Sequence, residues 1–224
     1  MPRIGVVTFP GSLDEQDAAR AARIAGAEAV SLWHGSETLT GLDALILPGG
    51  ATYGGYLRPG ALASLSPVVR EVRVAAERGM PVLGIGDGFQ VLCEAGILDG
   101  ALLPNDNGRF LCANKRLRIE SVDTVWTCGF TKGDEVVLPF KSANGNFQTD
   151  ADTLKDLEGY DRVVLRWRDN PSGSVNNIAG ITNTRGNVVG IMAHPEHAVD
   201  DLTGPSSDGN RFFESMLGFL SLRS

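Results

Sequence analysis

The sequence predicts an α/β fold: a parallel sheet with helices on both faces and a mixed or antiparallel extension. Three observations carry this. In the first 100 residues, short β-rich apolar runs alternate with segments of helical spacing. From about residue 105 to 147 the pattern shifts to short strands with no helix between them. No repeat, low-complexity tract or linker interrupts the 224 residues, which we take as one domain spanning 1–224.

The first strand is "RIGVVTF" (3–9), stopped by Pro10-Gly11. Ser12 and Glu15 have capping-box spacing, which opens a helix through about Ala25, with Gly26 as its stop. "EAVSLW" (28–33) and "LDALILPGG" (42–50) are the next strands. "SPVVREVRVAAERG" (66–79) is a helix ending at glycine, and "PVLGI" (81–85) is the fourth strand. A glycine turn and a helix over 89–96 follow. "RLRIES", "DTVWTC" (123–128) and "EVVLPF" form the extension, and "TDADTLKDLEGY" is a short helix. "DRVVLRW", "NIAGITN" and "NVVGIMAHP" return to strand. Turn residues Ser207-Asp208-Gly209-Asn210 precede a last amphipathic helix, "RFFESMLGFLSL".

Composition narrows the function classes. Hydrophobic residues are 42% and charged residues 21%, as in ordinary soluble proteins. The net charge is −7 with no Lys/Arg block, which argues against nucleic acid and anionic membranes as partners. No apolar stretch has the length of a membrane span, and the N-terminus lacks the pattern of a signal peptide. Cys93, Cys112 and Cys128 are odd in number and widely spaced, so they read as buried thiols in a reducing cytoplasm. His34, His194 and His197 lack metal-ligand spacing, so no metal is expected, and no motif calls for a cofactor.

Ligands of such sheets bind at the carboxyl ends of the strands. Three segments should meet there. Gly49-Gly50 follows a strand, and its N–H groups can hold an oxyanion or merely make a turn. His194-Pro195-Glu196 follows another, and a carboxylate two residues on can fix the tautomer of a histidine base. "GIGDGFQVLC" (84–93) joins strand to helix through a sharp turn, the usual seat of a catalytic nucleophile. Its tip is Gly86, which has no side chain. Gly-x-Gly-x-Gly is not the dinucleotide pattern, so this is not a nucleotide loop.

The stretches "GVVTFPGSLDEQDAARAARIAGAEAVSLWH", "LPGG", "YGGYLR", "PVLGIGDGFQVLCEAGIL", "NPSGSVNNIAGITN" and "GNVVGIMAHPEHAV" resemble the PurQ type of class I glutamine amidotransferase nearly end to end. These are the glutaminase subunits of phosphoribosylformylglycinamidine synthase. The resemblance implies a flavodoxin-like fold and a Cys-His-Glu triad that frees ammonia from glutamine for a larger synthase partner. It implies that His194 is the base, Glu196 its orienting carboxylate, and Gly49 and Gly50 the oxyanion loop. Gly86 then occupies the place of the family's cysteine and Asp87 that of its asparagine. Ala51, Thr52 and Gly55 depart from the family's Pro-Gly-Gly-Phe-Ser-Tyr-Gly-Asp-Tyr run, and 144–147 from its His-Gly-Glu-Gly stretch. Tyr53, Phe89, Gln90 and Asn144 fall in segments expected to contact substrate. Arg58 is either a clamp for a ligand carboxylate or a solvated surface arginine, and Asp87 either a catalytic group or a carboxylate stabilised at a helix start.

Glycine cannot form a thioester, so no glutaminase activity is expected by that route. Four altered places favour natural divergence over a single inactivating replacement. Three functions remain open: a changed enzyme acting on another small polar substrate, with His194 as base and Asp87 as acid or orienting group; a non-catalytic subunit or ligand sensor that keeps a synthase-like partner; and a purine-pathway subunit made inactive.

Overall fold

The computed structural model describes residues 1–222. Its strands are β1 (Arg3–Thr8), β2 (Glu28–Trp33), β3 (Ala44–Leu47), β4 (Val82–Ile85), β5 (Ala101–Leu103), β6 (Leu111–Ile119), β7 (Glu135–Ser142), β8 (Asn146–Gln148), β9 (Val163–Trp167), β10 (Ile178–Thr182) and β11 (Val188–Ile191). The helices are α1 (Glu15–Ile24), α2 (Pro67–Glu77), α3 (Asp87–Glu94), α4 (Ala151–Gly159) and α5 (Asn210–Ser221). A nine-stranded sheet runs β2-β1-β3-β4-β11-β10-β9-β6-β7, and β5 pairs with β8 apart from it. The half from β2 to β11 is parallel; β11 to β7 is antiparallel throughout.

The parallel strands read as unbroken apolar runs because both faces are covered. Ala44–Leu47, Val82–Ile85 and Val188–Ile191 are buried at every position. Burying a side chain of this size contributes about 1.5–3 kcal/mol, so the centre of the sheet dominates the core. From β1 the chain crosses outward to β2 through α1, and from β3 the other way to β4 through α2. Right-handed crossovers in opposite directions put α1 and α2 on opposite faces. The switch lies between β1 and β3, and it opens a crevice at the carboxyl ends of the strands.

Several local expectations fail for identifiable reasons. Residues 123–128 form turns, not a strand. Thr124 Oγ1 accepts the N–H groups of Trp126 and Thr127 (3.2 and 3.1 Å), which satisfies the backbone locally while Trp126 packs in the core. Ser12 does not cap α1. Its hydroxyl accepts the Phe9 N–H at 3.0 Å, and the residue at the cap is Asp14, whose carboxylate turns elsewhere. The short pair β5–β8 has too few residues for its period to show in the sequence. Only Cys93 is a buried thiol; Cys112 on β6 and Cys128 are exposed. No described helix is long and apolar enough to cross a membrane.

Candidate active site

Gly86 sits between β4 and α3 with φ +54° and ψ −109°, a backbone state that side chains adopt only with strain. Its N–H donates to Ile191 O (2.8 Å), and its carbonyl accepts the Gln90 N–H (3.2 Å). The turn is thus held from both sides. Gly88 lets α3 close on β3: a Cβ there would lie 2.6 Å from the Leu47 carbonyl carbon and closer still to its oxygen. The elbow presents its tip to a histidine. A Cβ on Gly86 would stand 3.0 Å from His194 Cε1 and 3.1 Å from Nε2.

His194 follows β11 and is buried, as is Glu196. His194 Nδ1 lies 2.7 Å from Glu196 Oε1, so the ring donates to this carboxylate and Nε2 points to the elbow. Nε2 has no hydrogen-bond partner among the described residues. The sequence paired these two residues, and the structure brings them together with Gly86 and Gly49. A Cβ on Gly49 would come within 2.6 Å of His194 Cε1 and closer to Asp14 Oδ2, so this position excludes any side chain. Gly50 lines the cleft, and its N–H makes no hydrogen bond among the described residues, which leaves it free for a ligand oxygen.

Three residues join the site that motif reasoning did not assign to it. Asp14 is buried and accepts from Lys141 Nζ and from His197 Nε2 at 3.2 Å, and its other oxygen lies 3.6 Å from His194 Nδ1. Burial raises its carboxyl, but the His197 hydrogen bond and the nearby charges of His194 and Lys141 outweigh that and hold it well below the usual range. His197, half-buried, is pushed above the ordinary histidine value: burial opposes the charge, and Asp14 and Glu196 prevail. Asp14, His194, Glu196 and His197 offer ligand atoms within 4.8 Å of one another, so spacing along the chain missed a cluster present in space. Lys141 also sits on Asp14 in this cluster.

A cleft of about 220 Å³ opens over these groups. Asp87 lines it, buried, its Oδ2 accepting the Thr52 N–H at 2.7 Å. Burial pushes this carboxyl up, against the Thr52 hydrogen bonds. Gln90 and Asn144 line the cleft and tie its lips together through Gln90 Nε2 and Asn144 O (2.6 Å). Three of the candidate residues do not line this cleft. Tyr53 turns its hydroxyl to His34 Nδ1 (3.3 Å). Phe89 is fully buried and stacks on Phe147 at 5.9 Å, a core residue because its helix face meets the sheet. Arg58 is exposed and pairs with Glu94 at 2.6 Å.

A model of the CobB/CobQ-like glutamine amidotransferase domain matches residues 1–217. The phosphoribosylformylglycinamidine synthase subunit PurQ of Leifsonia xyli is 58% identical over 207 residues, covering 92% of this chain and 89% of that protein. PurQ of Frankia casuarinae is 57% identical over 221 residues, covering 98% and 95%. The chain belongs to the PurQ family of glutamine amidotransferases. Among solved structures, PurLQS from Thermotoga maritima superposes with a TM-score of 0.91 at 41% identity, covering 98% of this chain and 99% of that one. A glutamine amidotransferase from the same organism shares 16% identity and a TM-score of 0.59, so there the likeness is of fold alone.

Proposed function

We propose that this PurQ-type chain has lost the thioester route and binds or acts on a small polar substrate other than glutamine. One observation carries the proposal: at the elbow, where a nucleophile would face the base, stands Gly86, with the His194 ring 3.0–3.1 Å from the position of any Cβ. The base and its orienting carboxylate persist, but no sulfur is present to take the acyl group. Cys93 is no substitute, since its sulfur is buried toward Asp99 O at 3.6 Å. Descent from a glutaminase of purine biosynthesis, supplying ammonia to a synthase, is supported by the PurQ relatives.

A second role, as a subunit bound to a synthase-like protein, is favoured by the rim of the cleft. Leu13 and Phe110 line its mouth while exposed, and Tyr56 and Leu57 on the adjoining loop are exposed too. The solved PurLQS supports a partner of that kind.

The test is ammonia release from glutamine by the purified chain and by a Gly86→Cys variant. Neither is expected to turn over: the wild type has no nucleophile at the elbow, and in Gly86→Cys the other departures in the pocket, Ala51, Thr52, Gly55 and Asp87, remain. Turnover by the wild type at the rate of an active PurQ defeats the proposal. Turnover by Gly86→Cys alone makes the chain an inactivated glutaminase with its pocket otherwise intact.

A further inference from the structure

Two carboxylates face the cleft, and their circumstances differ. Asp14 has an ammonium and an imidazole on it. Asp87 has neither: no Lys, Arg or His side chain pairs with it among the described residues, and its partner there is the neutral Thr52 N–H. Yet Asp87 is only 5% exposed. A buried carboxylate with only neutral donors from Thr52 is costly to ionise, and a cation on its remaining lone pairs would offset that cost. The charged side chains of the adjoining segments are paired elsewhere: Lys141 with Asp14 and Arg58 with Glu94.

Asp87 is also placed where a ligand must pass. It lines the cleft with His194 and adjoins Gly86 at the start of α3. A ligand carbonyl oxygen turned to the elbow would meet this carboxylate; an N–H donor would be welcomed by it. The nearby Lys141 ammonium, also on the cleft wall, keeps donors free for an acidic end of the same molecule.

We infer that the cleft selects a small ligand with a cationic, N–H-donating head, an ammonium, amidinium or guanidinium, seated on Asp87. The inference rests on the proposal that this cleft holds a substrate other than glutamine, and it specifies the charge of that substrate's head. The cleft of about 220 Å³ suits a ligand of amino-acid size. A planar amidinium matches a carboxylate with two parallel hydrogen bonds, which makes it the best-fitting head.

Isosteric pairs test the charge of the head directly, whatever the rest of the ligand. Acetamidinium and acetamide compare the head alone; L-arginine and L-citrulline compare it on an amino acid. Each is titrated into the ¹⁵N-labelled full chain at about 0.15 M salt, where exposed charges are screened. Acetamidinium should bind about tenfold more tightly than acetamide, the difference a charge-assisted hydrogen bond supplies. The shifts should centre on the amides of Thr52 and Gly86 to Gly88. In Asp87→Asn the preference should vanish. Equal affinities, a preference for the neutral member, no binding by either pair, or a preference that survives Asp87→Asn overturns the inference. The wild-type comparison decides even if the variant does not fold. Ammonia release from glutamine is read separately, so a failure of the earlier proposal is distinguishable from a failure of this one.

Discussion

On the elbow wall of the cleft, Gly84, Gly86 and Gly88 leave room for backbone and little else, whereas on the facing wall His194, Glu196, Asp14, His197 and Lys141 meet through charged hydrogen bonds. The first wall is shaped by exclusion. A Cβ on Gly84 would lie 2.6 Å from Leu92 Cδ1, and one on Gly88 would collide with Leu47. The second is shaped by pairing, Asp14 with Lys141 and His197, and His194 with Glu196. The two can therefore change independently. A glycine at the elbow tip leaves the polar network undisturbed: Gly86 stands opposite an intact His194–Glu196 pair.

The comparison breaks most sharply at Gly88. Gly88→Ala pushes a methyl into the Leu47 carbonyl, which is backbone and cannot rotate away. We expect a loss of about 3 kcal/mol or more in urea unfolding, at the top of the range for overpacking. A loss under about 1 kcal/mol would mean that α3 is free to lift from β3, and the elbow would not be sterically determined.

The polar wall is sharpened by pH. His197 faces Asp14 at 3.2 Å, Glu196 at 3.7 Å, Asp17 at 4.0 Å, and the positive Lys141. Its value is raised above the ordinary 6.5, so its contribution is complete below about pH 6.5 and is lost as pH rises through the folded value. Asp14 is depressed below the ordinary 3.8, so its contribution is present above about pH 4 and is lost as pH falls. Asp14→Asn should thus destabilise most between about pH 4 and 6.5, and by less at pH 8.5. Denaturant midpoints of both proteins across this range give the check. A wild-type-minus-variant difference that stays constant from pH 6 to 8.5 would remove His197 from the network.

The two walls also differ in how far the sequence discloses them. The elbow is local: strand, glycines and helix follow one another over 82–94, and period and turn chemistry find it. His194 and Glu196 are two residues apart at a strand end, so they too can be paired on paper. Asp14 and Lys141 are 127 positions apart, and Asp14 and His197 183. They meet only because the loop after β1 and the end of β7 both reach the carboxyl edge near His194, and no local pattern encodes that meeting. Asp14 was further obscured by the plausible capping role of its neighbour Ser12. Residues 123–128 misled in the opposite sense. Their β-branched composition suits a strand, but the Thr124 hydroxyl takes the N–H groups that a ladder would need.

Arg58 lies outside both walls, and it sets the lower end of the scale. Its side chain is 69% exposed, so solvent screens its ion pair with Glu94, whose own side chain is 13% exposed. Exposed pairs of this kind contribute about 0.5 kcal/mol or less after screening. Arg58→Ala should leave the unfolding midpoint nearly unchanged. It should also leave acetamidinium affinity within about twofold, since Asp87 receives nothing from this guanidinium. The loop that carries Arg58 holds Tyr53 and Leu57 at positive φ, 50° and 67°, conformations that non-glycine residues adopt only with strain. If Arg58→Ala weakened L-arginine binding severalfold while acetamidinium affinity and stability held, the strained loop would have to swing when the ligand's carboxylate arrives, carrying Arg58 from Glu94 to the cleft. The arginine would then be part of the site, and the elbow wall would be completed on binding rather than built in advance.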